Sequence, residues 1–268
     1  MEISQLIGYA LAVLVGISLG LIGSGGSILT VPILVYIMAV EPVLATAYSL
    51  FVVGTTSLVG GIQNAFQKKV DYKTVLIFGI PSIISVYITR AFLVPIIPDV
   101  LFSIGEFHFT KSIALMVLFA IVMILASISM IRPCPKCNDT NSEKIIYNYP
   151  MILLEGTVVG ILTGLVGAGG GFLIIPALVL LAKMPMKLAV GTSLFIIAAK
   201  SLLGFIGDLQ GDEVIDWLML STFTGLSVVG IFIGIFLSKK VGGSRLKVGF
   251  GWFVLLMGIY VLIKELFF

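Results

Sequence analysis

A lysine stands inside the apolar stretch Ser193-Leu-Phe-Ile-Ile-Ala-Ala-Lys-Ser201. If that stretch crosses a bilayer, an ammonium at such depth costs at least about 2.5 kcal/mol. Lys200 must then face a cavity, a carboxylate or a bound anion, and its mid-segment position works against snorkelling to an interface. The chemistry that suits it is counter-charge to a small anion. Two glycine-rich breaks offer complementary donors: Gly23-Ser24-Gly25-Gly26-Ser27 and Gly167-Ala168-Gly169-Gly170-Gly171. Each separates a long apolar segment from a short one. Irregular backbone at membrane depth is tolerated only where it is buried in protein or lines a cavity. A helix starting just after such a turn aims unsatisfied N–H groups and its positive dipole end at whatever sits there. Pro32 and Pro176 support a helix start at that point, since proline fits a first turn. Ser24, Gly25, Gly26 and Ser27, with Ala168, Gly169, Gly170 and Gly171, are therefore candidate anion ligands, the two breaks meeting near the midplane. Tight packing through small residues is the competing role, and Gly16-x-x-x-Gly20 and Gly160-x-x-x-Gly164 fit it.

Hydroxyls on the neighbouring segments, at Ser49, Thr55, Ser57, Thr192, Ser193 and Ser201, could donate to anion oxygens or bond the preceding helical turn. Ser49 and Ser193 are kept as site candidates. Glu155 could carry a proton in a coupled cycle or serve as an interfacial carboxylate. Arg90 reads as an anchor or as the partner of an acidic residue. Asp71 and Asp216, ahead of Tyr72 and Trp217, read as helix N-caps followed by interfacial aromatics. Cys134-Pro-Lys-Cys137 is half of a zinc-site pattern that no second pair completes, and the one histidine, His108, lies in a different connection. Neither a phosphate-binding loop nor a dinucleotide fingerprint occurs. No metal and no cofactor is expected.

The elements that carry these residues are apolar runs. The chain has 268 residues, 59% hydrophobic and 11% charged, against about 25% charged in a soluble domain. Ten segments can be read: Ile3–Ile22, Ile28–Val40, Val43–Phe66, Tyr72–Pro95, Ser112–Ile131, Tyr149–Val166, Phe172–Ala182, Leu188–Ile206, Ile215–Leu237 and Leu246–Leu262. Most approach the roughly 20 helical residues that a bilayer needs, but the second and seventh do not. The N-terminus lacks the basic region of a cleavable signal peptide, and the first run is expected to be retained.

The segments also repeat. Gly20-Leu-Ile-Gly23-Ser-Gly25-Gly26 aligns with Gly164-Leu-Val-Gly167-Ala-Gly169-Gly170 at an offset of 144 residues, and Pro32, Ser49-Leu-Phe51, Ser57-Leu58 and Gly60 keep that offset to Pro176, Ser193-Leu-Phe195, Ser201-Leu202 and Gly204. Val70-Asp71-Tyr72 matches Ile215-Asp216-Trp217 one residue later in register. Lys200 falls on Thr56, so the copies differ there. Each copy holds an odd number of crossings, whether the short segment spans or re-enters, so the second copy enters the membrane inverted. Alternating the connections gathers Lys68, Lys69, Lys73, Arg132, Lys136, Lys144, Lys183, Lys187, Lys239, Lys240, Arg245 and Lys247 on one face. By the positive-inside rule that face is cytoplasmic, with the 132–149 connection, and both termini lie outside. The basic residues form no stripe suited to nucleic acid.

Residues 20–32 and 164–176, with Ala189-Val-Gly-Thr-Ser-Leu-Phe195, resemble the TauE/SafE family, bacterial and archaeal membrane proteins described as sulfite exporters and related permeases. The likeness extends over essentially the whole chain. It implies transport of sulfite or an organosulfonate such as sulfoacetate, and residence in a bacterial or archaeal inner membrane.

The reading is an all-α membrane protein of two inverted repeats, 1–131 and 149–268, joined by a connecting loop, 132–148. Eight to ten transmembrane segments are expected, with Gly-rich broken or re-entrant helices. The expected function is secondary transport of a small inorganic or organic sulfur oxyanion, with the lipid bilayer as the other partner and a homodimer left open. The alternatives are an anion channel and an intramembrane hydrolase pairing Ser24 or Ser201 with Lys200, neither serine being the centre of a Gly-x-Ser-x-Gly.

Overall fold

The computed structural model describes residues 3–23, 26–104, 107–131, 149–167, 171, 174–175, 178, 184–209, 215–238 and 243–267. Long helices dominate them: α1 Ile3–Ile22, α2 Ser27–Ile37, α3 Pro42–Phe66, α4 Tyr72–Ile96, α5 Lys111–Ile131, α6 Tyr149–Val166, α7 Met186–Asp208, α8 Trp217–Ser238 and α9 Gly243–Phe267. Among the described residues, six stretches, within α1, α3, α4, α5, α7 and α8, are long and apolar enough to cross a membrane. α2 and α6 contribute shorter apolar helices. The outer faces match an apolar solvent. Leu76, Ile80, Ile84 and Ile88 recur every fourth residue on α4, and all four are exposed. Soluble monomers rarely expose so continuous an apolar surface.

Local chemistry sets the helix starts. Glu41 precedes Pro42 and accepts the Leu44 N–H at 3.0 Å. Asp71 accepts the Lys73 N–H at 3.2 Å and the Thr74 hydroxyl at 2.6 Å, and Asp216 accepts the Met219 N–H at 3.0 Å. Both aspartates therefore cap, as expected of that residue type before a helix. Pro32 differs from expectation. It lies inside α2, whose start is Ser27, and a π turn over Ile33–Ile37 follows it. Proline cannot donate an i→i−4 bond, and the wider turn carries the helix past that gap. Residues 100–110 hold a feature that the segment reading left as open connection. β1, Val100–Ile104, pairs antiparallel with β2, Phe107–Thr110. Its signal in the sequence was the aromatic and β-branched content on both sides of Gly105.

α1 and α2 form a hairpin. A Cβ added at Gly26 would be 2.7 Å from Leu19, and one added at Gly8 would be 2.6 Å from Met38. The chain thus turns back along α1 after the glycine break, and α2 ends beside the start of α1. At 11 residues, α2 covers only about 16 Å.

The longer helices pair as α1 with α8, α4 with α6, α3 with α7 and α5 with α9. Exchanging each helix for its counterpart in the order of the repeat turns the first pair into the second and returns the last two to themselves. Small residues bring the backbones together. A Cβ at Gly16 would fall on the Ser227 carbonyl oxygen, and one at Gly160 would lie 2.6 Å from that of Ser82. The Ser227 hydroxyl also donates to the Ala12 carbonyl across the α1–α8 contact, at 3.0 Å. Along α3 and α7, Gly61 faces Phe195, Gly54 faces Leu202, and the Phe51 and Phe205 rings lie 5.1 Å apart. Numbers rise on one helix as they fall on the other, so the pair is antiparallel.

Gly16→Leu is expected to lower the unfolding temperature of the protein in nanodiscs by the equivalent of about 2 kcal/mol, since overpacking of this kind typically costs 1–3. Gly225→Ala, where a Cβ meets nothing within 4 Å, is the control. Equal shifts in the two would show that the α1–α8 seam is not close-packed.

Candidate functional site

Both glycine breaks open on a residue in the left-handed region, Gly23 at φ +81° and Gly167 at φ +72°. An L side chain is strained there. The preceding helices close on them: the Gly23 N–H donates to the Leu19 carbonyl at 2.7 Å and the Gly167 N–H to that of Thr163 at 2.8 Å. Each break is then covered by the other half. A Cβ at Gly23 would stand 2.6 Å from Val190 Cγ1 on α7, and one at Gly167 would stand 2.6 Å from Thr46 Cα on α3. Val190 and Thr46 are each the fifth residue of their helix. Because α3 and α7 run antiparallel, these first turns stand at opposite ends of the pair, about 30 Å apart. The breaks therefore do not meet at the midplane as the sequence suggested. Each closes a near-full-length helix, so each finishes at the far side of the bundle from where that helix began.

Among the candidate ligands in the breaks, Gly26, Ser27 and Gly171 are buried. The Gly26 carbonyl accepts from the Thr30 hydroxyl at 3.2 Å and from the Leu29 N–H at 3.1 Å. Ser24, Gly25, Ala168, Gly169 and Gly170 lie outside the described residues, as do Cys134, Cys137 and Pro176.

Lys200 is 0% exposed. Its Nζ donates to the Thr163 hydroxyl at 3.1 Å, and no carboxylate among the described residues comes within ion-pair distance of it. An ammonium carries three donors, and one neutral hydroxyl does not balance its charge. Thr163 is also the residue whose carbonyl closes α6 onto Gly167. The ammonium is thereby held one helical turn from the second break. Ser49 lies one turn beyond Thr46, which covers that same break. Its hydroxyl is buried and has no hydrogen-bond partner among the described residues, as is true of Thr56, Ser57 and Ser201. Ser193 instead donates to the Val190 carbonyl at 2.9 Å. The two serines superposed by the repeat thus differ: one is spent on its own helix and one is not.

The remaining candidates fall away from Lys200. Glu155 is half-buried on α6, two turns and about 12 Å before Thr163, and makes no ion pair among the described residues. Arg90 is buried and meets Asp208 at 3.3 Å. The Asp71 N–H donates to Thr192 Oγ1 at 2.9 Å and the Asp216 N–H to Tyr48 Oη at 2.6 Å, so the caps also tie the halves at equivalent positions. Sequence reasoning missed Thr163 and Asp208. A signal for Thr163 was present: at the common offset it replaces Leu19, as Lys200 replaces Thr56. The two departures from the repeat are bonded to each other.

The sulfite exporter TauE/SafE family model matches residues 8–261, and the chain belongs to that family. A probable membrane transporter protein of Xylella fastidiosa (strain 9a5c) is 28% identical, covering 93% of this chain and 91% of its own length. Probable membrane transporter protein YunE of Bacillus subtilis is 29% identical, covering 97% and 99%. A probable membrane transporter protein of Methanocaldococcus jannaschii is likewise 29% identical, covering 98% of each. No solved structure matches the chain. The protein is accordingly a membrane transporter rather than an enzyme.

A buried ammonium with one acceptor among the described residues burdens the fold. Lys200→Met is expected to keep or raise the unfolding temperature, whereas Thr163→Val, which strips the ammonium of its acceptor, should lower it by the equivalent of about 1–3 kcal/mol. Early unfolding of Lys200→Met would mark the lysine as a structural residue.

Proposed function

We propose that this chain is a secondary carrier for a small sulfur oxyanion, sulfite or an organosulfonate such as sulfoacetate, working by alternating access between two inverted halves. The observation that carries this reading is Lys200, wholly buried, bonded to one hydroxyl and held one turn from the second glycine break. In the cycle, the oxyanion accepts from Lys200 Nζ and from backbone N–H groups of residues 168–171, with Ser49 on the facing helix. Gly25, Gly26 and the serines beside them, Ser24 and Ser27, line the approach from the opposite face, where Ser193 lies. Glu155, well removed from the ammonium, is the carboxylate available to a coupled proton.

Four observations support the inversion of residues 1–131 and 149–268. The sequence repeats, the helix pairs exchange in the order of that repeat, the equivalent helices α3 and α7 run antiparallel, and the breaks and caps contact each other's counterparts. α1 and α2 would then go in and back as a broken hairpin, as would α6 and the segment around residues 172–182, which leaves three full crossings in each half. Contacts between ends assigned to the outer face agree with that topology. Glu41 accepts from the Ser112 hydroxyl at 2.7 Å, Tyr36 donates to Glu265 at 2.8 Å, and Lys264 Nζ sits 4.1 Å from the centre of the Tyr36 ring. The 132–148 connection is then cytoplasmic and both termini outside.

Proteoliposomes test the carrier. Saturable sulfite or sulfoacetate counterflow is expected, and Lys200→Met should reduce it about thirtyfold or more, the usual scale for losing one partner of a buried charge pair. Conductance without counterflow would make the protein a channel, and unaltered flux in Lys200→Met would remove the lysine from the mechanism. The topology has its own test, because Cys134 and Cys137 are the two cysteines of the chain. A membrane-impermeant maleimide should label them only after cells are opened; labelling of intact cells would reverse the orientation.

A further inference from the structure

Arg90 sits in a π turn of α4, Thr89–Leu93, and is 1% exposed. Its Nη1 donates to Asp208 Oδ1 at 3.3 Å, long for a charge-assisted bond. Its Nε and Nη2, and Asp208 Oδ2, have no hydrogen-bond partner among the described residues. The pairing is therefore one-pronged. The Nε/Nη2 edge, the fork that matches two oxygens of a carboxylate or a sulfur oxyanion, thus faces no acceptor among the described residues. A structural buried ion pair repays its desolvation only with good geometry and satisfied remaining donors, and this pair has neither. The repeat does not demand it either, since Ile235 and Asn64 occupy the corresponding places.

Its position relative to Lys200 gives the open fork a use. A Cβ at Gly207 would lie 3.1 Å from Arg90 Cβ, so Arg90 packs on α7 seven residues beyond Lys200, about 10 Å along the helix. Thr89, next to it, packs on Gly164, the neighbour of Thr163, with 2.7 Å to a Cβ added there. The two cations thus flank the last turn of α6, ahead of the second break. We propose that the Nε/Nη2 edge of Arg90 is a second oxyanion subsite, between Lys200 and the Asp208 end of α7, and that the Asp208 carboxylate is its resident competitor. An anion travelling between Lys200 and that end passes from the ammonium to the guanidinium, and Asp208 takes the cation back once the anion has left. This rests on the oxyanion-carrier reading and adds to it a residue with a defined geometry.

The experiment is concentration-dependent uptake in proteoliposomes containing the full-length protein, with sulfite, sulfate and sulfoacetate each as probe. Folded recovery is checked by size-exclusion chromatography. Arg90→Gln should raise KM for the transported anion about tenfold or more, and Arg90→Lys, which keeps the charge without the fork, should fall between. Asp208→Asn keeps an oxygen for Nη1 but removes the competing charge, so it should lower KM while kcat stays within about twofold. A purely structural pair predicts otherwise: both substitutions reduce the recovered protein and neither moves KM. That result, or a KM raised by Asp208→Asn, overturns the subsite while wild-type transport leaves the carrier standing. Wild-type protein that moves none of the three anions overturns the carrier reading and the subsite with it.

Discussion

The structure depends on one constraint: where a helix breaks against the bundle, its exposed backbone must be covered by protein, because an apolar surround cannot satisfy it. At Gly23 and Gly167 the chain leaves a helix through a left-handed residue. The cover in each case is the first turn of a helix from the other half, Val190 over Gly23 and Thr46 over Gly167. Neither half can bury its own break in this way. The antiparallel α3–α7 pair follows, because two covering turns at opposite ends need helices running in opposite directions. The close seams at Gly16 and Gly160 follow too, since each broken helix must be braced along its length by a partner, α8 for α1 and α4 for α6.

Against that near-symmetric frame, polarity is distributed unevenly. The second break has a buried ammonium and a hydroxyl beside it; the positions equivalent to Lys200 and Thr163 around the first break hold Thr56 and Leu19. Arg90 and Asp208 join α4 to α7, while the equivalent α8–α3 contact has Ile235 and Asn64. Among the described residues, both buried cations therefore lie beside the last turn of α6, on the side of the second break. A scaffold in which each half covers the other can exchange two packings of similar energy, whereas a charged ligand needs its counter-charge in one place. Symmetry in the backbone and asymmetry in the side chains answer these two demands separately.

Much of the frame could be read from sequence, for a physical reason. Apolar runs, caps and glycine breaks are local patterns, and Asp71, Asp216 and the Gly16 and Gly160 seams act where their types and spacing said they would. What escaped was relative depth. The repeat shows that the breaks are equivalent but not that they finish at opposite ends of a helix pair. That follows only from the partners of Gly23 and Gly167, residues 167 and 121 positions away in the chain. Thr163 and Asp208 were overlooked because each is ordinary on its own helix, and each gains meaning through a side chain from another element. The β-hairpin was missed because it is short and bounded by long apolar helices that dominate any hydropathy reading.

The uneven site also bears on how an anion could leave once bound. A lone buried ammonium would hold an oxyanion strongly, since neither partner has water to return to. Release is easier when a second cation lies about 10 Å further along and carries its own carboxylate. Each charge is then exchanged for another of the same sign rather than abandoned in a medium of low dielectric. Arg90 stands at the right distance from Lys200, and Asp208 holds it loosely, through one long bond. A tight, bidentate pair would be a better structural brace and a worse relay, because the anion would have to break two good bonds to displace the carboxylate. The incomplete pairing that makes Arg90 a poor contributor to stability is the same property that would let it accept and give up a passing charge.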